Sequence, residues 1–208
     1  MDSGAGRAVS PGITVRRLSG AGIGPWLDEV ARLRVAVFRD WPYLYEGDPA
    51  YEREYLQAYA DSAESVVVLA FDGDRVVGAS TGLPLADDSA EFRKPFLDAG
   101  RPVDEVFYFG ESVLLPAYRG QGLGHRFFDE REAHAASLGR FTVTGFCAVD
   151  RDPTDPRCPP GHRGNEAFWE KRGYVRQSGL TVRLAWREIG EDKPSEKPLT
   201  FWLRRIRL

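Results

Sequence analysis

Cysteine is scarce: the 208 residues hold two, Cys147 and Cys158. Neither forms a Cys-x-x-Cys pair or has histidines at zinc spacing, so a disulfide framework and a structural zinc site are excluded. The thiols read as reduced, and no metal is expected. Long apolar runs are also missing, since none reaches the roughly 20 residues of a membrane helix. The opening MDSGAGRAVSPG lacks the apolar stretch of a secretory signal. A cytoplasmic protein with no membrane partner is the expectation. There is no basic excess either, because 28 Lys and Arg face 31 Asp and Glu, a net charge of −3. That balance argues against a broad grip on nucleic acid. No internal repeat is found, and the one low-complexity tract is residues 1–12, read as a flexible tail.

What is present is the mixture of a globular chain, 42% hydrophobic and 28% charged, and residues 13–208 read as one α/β domain. ITVRRL at 13–18 alternates like a strand. PWLDEVARLRVAVFR at 25–39 sets Trp26, Val30, Leu33 and Val37 at helical spacing behind a first-turn proline. AYEREYLQAYADS predicts a second helix with Tyr51, Tyr55 and Tyr59 on one face. SVVVLAFDGDRVVGASTGLPL predicts two strands joined by a DGD turn. A short inserted helix follows within 87–102, and DEVFYFGESVLLP reads as one long buried strand ending at Pro116. A third helix over about 121–138, a strand at FTVTGFCAVD, an irregular excursion over 150–164 and a short helix in NEAFWEKRGY come next. TVRLAWREI and LTFWLRRI form a candidate closing hairpin.

The informative segment is PAYRGQGLG, residues 116–124. Gly120, Gly122 and Gly124 let backbone amides approach a ligand closely. The helix that follows offers unpaired N–H groups and a partial positive charge, and Arg119 adds a guanidinium suited to a pyrophosphate. A Walker loop would end in Gly-Lys-Ser or Gly-Lys-Thr, whereas Gly124 precedes His125 and Arg126. A dinucleotide loop would read G-x-G-x-x-G, whereas these glycines alternate strictly.

ESVLLPAYRGQGLGHRFF followed by NEAFWEKRGY resembles two landmarks, in the right order, of the GNAT family of N-acetyltransferases. The likeness spans about residues 13–186. It implies an α/β (α+β) acyl-CoA N-acyltransferase fold, a mixed, twisted sheet of about seven strands flanked by helices, in which the fourth and fifth strands splay apart. It implies acetyl-CoA as cosubstrate, its pantetheine arm bonded to the backbone of Val113, Leu114 and Leu115. The pyrophosphate would rest on the amides of Gly120, Gln121, Gly122, Leu123, Gly124 and His125, beside Arg119. Asn165, Phe168 and Trp169 would line the arm. Trp169 stands where the family usually has a tyrosine acid, and an indole cannot supply that proton.

Amine acetylation needs a base and an acid. Glu111, a carboxylate inside an apolar strand, is the candidate base, or else it is tied to an arginine; Tyr108 is a second candidate. His162, in the 150–164 excursion, is a candidate acid. Trp41, Tyr43, Tyr45 and Glu46, in the loop between the first two helices, suit a cationic acceptor. A small primary amine is the expected acceptor. A protein or peptide amine, a longer acyl donor accommodated at Ser112 and Phe146, a silent acetyl-CoA-binding module and a homodimer stand as alternatives.

Overall fold

The computed structural model describes residues 12–206; residues 1–11, nearly all of the expected tail, lie outside the described residues. The first strand, β1 (Ile13–Leu18), edges a hairpin of β2 (Val66–Asp72) and β3 (Arg75–Pro84). The hairpin turns at Gly73, whose φ of +58° suits a glycine. Beyond it come β4 (Val106–Tyr108), β5 (Ser112–Leu114), β6 (Val143–Val149), β7 (Val175–Trp186) and β8 (Ser195–Arg205). The sheet runs β1-β2-β3-β4-β6-β8-β7, with β5 off that path against β3. Among the described strands only β4 and β6 pair in parallel.

Alternation along β2 divides the core in two. Val67, Leu69 and Phe71 face α1 (Leu27–Phe38), α2 (Pro49–Asp61) and α3 (Ala90–Asp98), together with Leu33, Leu56, Tyr59, Phe92 and Phe96. Val66, Val68 and Ala70 face α4 (Leu123–Ser137), together with Phe107, Phe109, Phe127 and Phe128. Each such side chain, fully buried, contributes roughly 1.5–3 kcal/mol before chain entropy is subtracted. The Asp48 carboxylate accepts the amides of Ala50 and Tyr51 at 2.8 and 3.1 Å and so starts α2. Tyr55 and Tyr59 turn toward the core, but Tyr51 is 61% exposed. Residues i and i+8 lie about 80° apart around a helix, so one narrow face cannot hold all three.

Two sequence expectations are corrected. The stretch 106–116 is not one strand but two, β4 and β5, and among the described residues the mixed sheet holds eight strands, in keeping with the expected seven or so. Phe109 still donates to the Gly145 carbonyl on β6 at 2.7 Å, but Gly110 donates instead to Thr81 on β3 at 3.2 Å. A Cβ at Gly110 would fall 1.9 Å from the Tyr59 hydroxyl, so the break needs glycine there. The second correction is β7, which starts at Val175 instead of Thr181, because a register shift between Arg176 and Thr181 interrupts the alternation.

Candidate active site

The break at 109–111 opens the sheet, because β5 follows β3 while β6 continues beside β4 and β8. Thr81 N donates to Glu111 O at 3.1 Å, and Leu115 N donates to Val77 O at 3.0 Å. Every second residue of an antiparallel strand points its N–H and C=O the same way. Glu111, Val113 and Leu115 therefore turn their backbone groups to β3, whereas Ser112 and Leu114 turn theirs toward the gap. Of the three residues expected to offer backbone to a ligand, Leu114 turns its groups to the gap, whereas Val113 and Leu115 turn theirs to β3.

One arginine, Arg131 on α4, holds this break. It is 1% exposed and donates to the carbonyls of Thr81 at 3.2 Å and Glu111 at 3.1 Å, to that of Phe127, and to the Ser112 hydroxyl at 2.8 Å. Its guanidinium lies over the rings of Phe109 and Phe128 at 4.3 and 4.8 Å. Burial pushes its pKa down to about 10. The sequence carried a signal for it, since Leu123, Phe127, Arg131 and Ala135 share one buried stripe of α4 at a spacing of four.

At the mouth of the gap, Gly120 and Gly122 adopt φ of +76° and +86°, a region that favours glycine. A Cβ at Gly120 would meet nothing within 4 Å, so backbone geometry and not crowding selects glycine there. Gly122 precedes α4, whose N-terminus has no side-chain cap and no acid in its first turn. The amides of Leu123, Gly124 and His125 are thus left as donors beside a partial positive charge. Arg119 is exposed and bonds back to the Leu114 carbonyl at 3.2 Å, and Gln121 bonds to Ala117 O at 3.1 Å. The short helix α5 (Glu166–Lys171) lies across from this terminus. His125 packs on Phe168 with centroids 4.8 Å apart, and Trp169 sits between Phe146 and Trp202 at 5.0 and 5.2 Å. Asn165 is exposed, and its carbonyl accepts from the amides of Phe168 and Trp169 in α5.

On the opposite face of the sheet a cluster of packed side chains surrounds Glu111. Glu111 is 5% exposed, and its Oε2 accepts from Arg34 of α1, which also pairs with the buried Glu52 of α2. The arginine tie left open by the sequence is therefore present. Arg34 lies over the rings of Tyr55 and Phe38 at 4.5 and 5.0 Å. Glu111 Oε1 is buried without a protein partner. Burial raises the Glu111 pKa against the pull of Arg34. Tyr108 is 2% exposed, its hydroxyl is 3.1 Å from the Cys147 thiol, and burial raises its pKa well above the usual tyrosine range. A tyrosine held neutral in this way is poorly placed as a base. Burial likewise pushes Cys147 up to about 12.

The loop over residues 39–48 packs beside this cluster. Tyr43 packs on Phe38 and Trp186 at 4.5 and 5.9 Å, and its carbonyl accepts from Arg151 at 3.1 Å and from Trp186 Nε1 at 3.0 Å. Arg151 and Arg157 of the excursion both pair with the buried Glu188, at 2.6 and 2.5 Å. This knot fastens the excursion to the closing hairpin. Tyr45 is half-buried and forms an isolated bridge with Glu188. Trp41 carries Arg151 above its ring at 5.5 Å and meets the exposed His162 at 6.2 Å. Glu46 is exposed and paired with Arg187 at 3.3 Å. The structure thus packs Tyr43 on Phe38, whose ring Arg34 of the Glu111 cluster overlies, while Glu46 and His162 stand at the surface.

The sequence reading missed Arg34 and Asp88. Arg34 sits between Leu33 and Val35 on the inner side of α1, a weak signal. Asp88 is 9% exposed, and its Oδ2 is buried without a protein partner; in sequence nothing separates it from its neighbour Asp87. Among the described residues no helix is long and apolar enough to cross a membrane, and no cluster of His, Cys, Asp and Glu could hold a metal ion.

The sequence model of the acetyltransferase (GNAT) family matches residues 30–174. No curated protein matches the chain. Among solved structures, the ribosomal-protein-alanine N-acetyltransferase of Brucella melitensis superposes with a TM-score of 0.60 at 13% identity, over 93% of this chain and 99% of that one. The protein yncA of Salmonella typhimurium, solved with its cofactor acetyl-CoA, gives 0.56 at 12% identity over 93% and 94%. An aminoglycoside 6'-N-acetyltransferase complexed with coenzyme A gives 0.58 at 18% identity over 94% and 98%. At such identities the likeness is one of fold.

Proposed function

The chain belongs to the acetyltransferase (GNAT) family, and on that premise we propose that it moves an acetyl group from acetyl-CoA to the primary amine of a small molecule, by direct attack within a ternary complex. One observation carries this reading. The uncapped N-terminus of α4 and the backbone groups that Ser112 and Leu114 turn away from β3 belong to one continuous segment beside the gap between β5 and β6. These residues fit a pyrophosphate joined to an extended amide-bearing arm. Gly120 to His125 would hold the first, with Arg119 on the rim; Ser112 and Leu114 on one side, and Asn165, Phe168 and Trp169 on the other, would hold the second.

The acceptor comes from the opposite face, past Tyr43. Its ammonium gives up a proton to Glu111, directly or through a water; burial has already raised the affinity of Glu111 for that proton. The freed nitrogen forms the new C–N bond as the C–S bond breaks, and the departing thiolate takes a proton. Trp169 cannot donate it. Tyr108 is occupied by Cys147, so water carries the released amine proton to the sulfur. A thiol-release screen over amines, amino acids, polyamines, aminoglycosides and peptides tests the reading. We expect turnover with a small amine and a loss of about 100-fold in Glu111→Gln, within the usual range for a general base. A second reading is a module that binds acetyl-CoA without turnover, favoured by the engagement of Glu111 with Arg34. Binding without thiol release from any amine would select it.

A further inference from the structure

Two helices bring opposite charges to one buried point at the break. Arg34 and Phe38 stand one turn apart on α1, and Glu52 and Tyr55 do the same on α2. The guanidinium of Arg34 lies over both rings, which leaves it little freedom to turn. Its Nε donates to Glu52 Oε2, and its Nη1 donates to Glu111 Oε2. Both carboxylate side chains are 1% exposed and that of Arg34 is 12% exposed. Two buried carboxylates thus share one cation, each through a single oxygen. Neither receives the two parallel bonds that a guanidinium gives a carboxylate it does not share. The main chain of Glu111 is fixed as well, because its N–H donates to the Thr81 hydroxyl at 3.2 Å and its carbonyl accepts from Arg131 at 3.1 Å. Only Oε1 of its side chain is left, enclosed and without a protein hydrogen bond.

We propose that Glu52 is a positioning residue for the transfer: by engaging Nε of Arg34 it keeps that arginine from taking both oxygens of Glu111, and so leaves Oε1 as the atom that accepts the acceptor's proton. This rests on the acetyl-transfer reading above. The step breaks an N–H bond of the ammonium and forms an O–H bond at Oε1, while the electron pair stays on nitrogen for the attack. A cation shared with Glu52 is half neutralised, so Glu111 binds a proton more readily than it would opposite a cation of its own. Burial raises its affinity for that proton, Arg34 opposes, and Glu52 adds to the rise. The charge of Glu111 also reaches Tyr55 and Tyr59 on α2, Tyr43 in the 39–48 loop and Asp88 before α3. Among the described residues, however, Arg34 pairs with Glu52 and Glu111 alone.

The experiment follows kcat/KM for thiol release against pH in the full chain and in Glu52→Gln, which keeps an oxygen for Arg34 Nε but removes the charge. The ascending limb of the profile reports loss of the proton from Glu111 in the free enzyme. In Glu52→Gln it should move about one pH unit lower, with the plateau reduced about threefold because a weaker base takes the proton. A limb that stays in place in the folded, active variant would overturn the proposal, since a merely structural glutamate changes rate or melting temperature without moving it. Should Glu52→Gln not fold, carboxyl 13C NMR of the original chain decides, with Glu111 assigned by the signal lost in Glu111→Gln. The Glu52 signal should shift at the pH where Glu111 is protonated, as the shared guanidinium turns to it; a Glu52 signal indifferent to that step rejects the link. If no amine releases thiol, the acetyl-transfer reading fails instead, and the same NMR titration of Glu111 in the original chain and in Glu52→Gln shows whether Glu52 governs it. Proton loss at lower pH in the variant supports that control; equal titrations reject it.

Discussion

The two sides of the gap are built in opposite ways. The glycine loop and the start of α4 present backbone groups from one continuous stretch, residues 116–125, most of them near the surface. The cluster around Glu111 presents side chains from α1, α2, the break, β4 and β6, nearly all buried and several ionisable. A site made of amides costs little desolvation and little stability, because the donors exist at any uncapped helix end. A site made of buried charges holds its geometry only while every charge has its counterpart.

Removing one arginine from each side tests that contrast most severely. Arg34→Met leaves Glu52 and Glu111 buried without their cation, and stability should fall by about 3–5 kcal/mol in denaturant unfolding. Arg119→Met, in the exposed loop, should stay within about 0.5 kcal/mol of the original, yet weaken acetyl-CoA roughly tenfold or more in calorimetry. Equal stability losses would mean that the two sides are not built differently after all. A smaller effect is expected at the loop itself. Gly122→Val places a β-branched residue at φ +86°, a strain of about 1–2 kcal/mol, and should abolish measurable acetyl-CoA binding while the fold is retained. Unchanged affinity would refute the assignment of the loop.

A last effect concerns pH. Burial lifts the Asp88 pKa from 3.8 to about 7, so between those values the folded protein binds more protons than the unfolded chain. Its contribution to stability is thus lost as pH rises from about 4 to about 7 and stays lost above. Asp88→Asn should flatten that decline, so that the variant melts higher than the original at pH 8, and the gap between them narrows toward pH 5. A gap that does not change with pH would remove the buried charge as its cause.

This division also explains what could be read in the sequence. The hairpin around Asp72–Gly73–Asp74 and the loop at Gly120 and Gly122 were legible because each depends on local backbone conformation that glycine alone makes easy. The break at Gly110 was not, because nothing within FYFGESVLLP interrupts a strand pattern; its causes are Tyr59 and Arg131, far away in the chain. Glu111 stood out as a charge among apolar neighbours, but its partners Arg34 and Glu52 lie on two helices whose packing the sequence does not state. Asp88 looked like any loop acid. Its burial is the work of α3 and the chain folded over it.

The parting of β5 from β6 also has a consequence for the protein's heat stability. A sheet with unpaired backbone along an inner edge gains strength from whatever supplies the missing hydrogen bonds, and a ligand that binds only the folded state stabilises it by mass action. At a ligand concentration 100 times Kd that amounts to about 2.7 kcal/mol. The melting temperature should therefore report the level of acetyl-CoA in solution, with the gap in the sheet as its sensor.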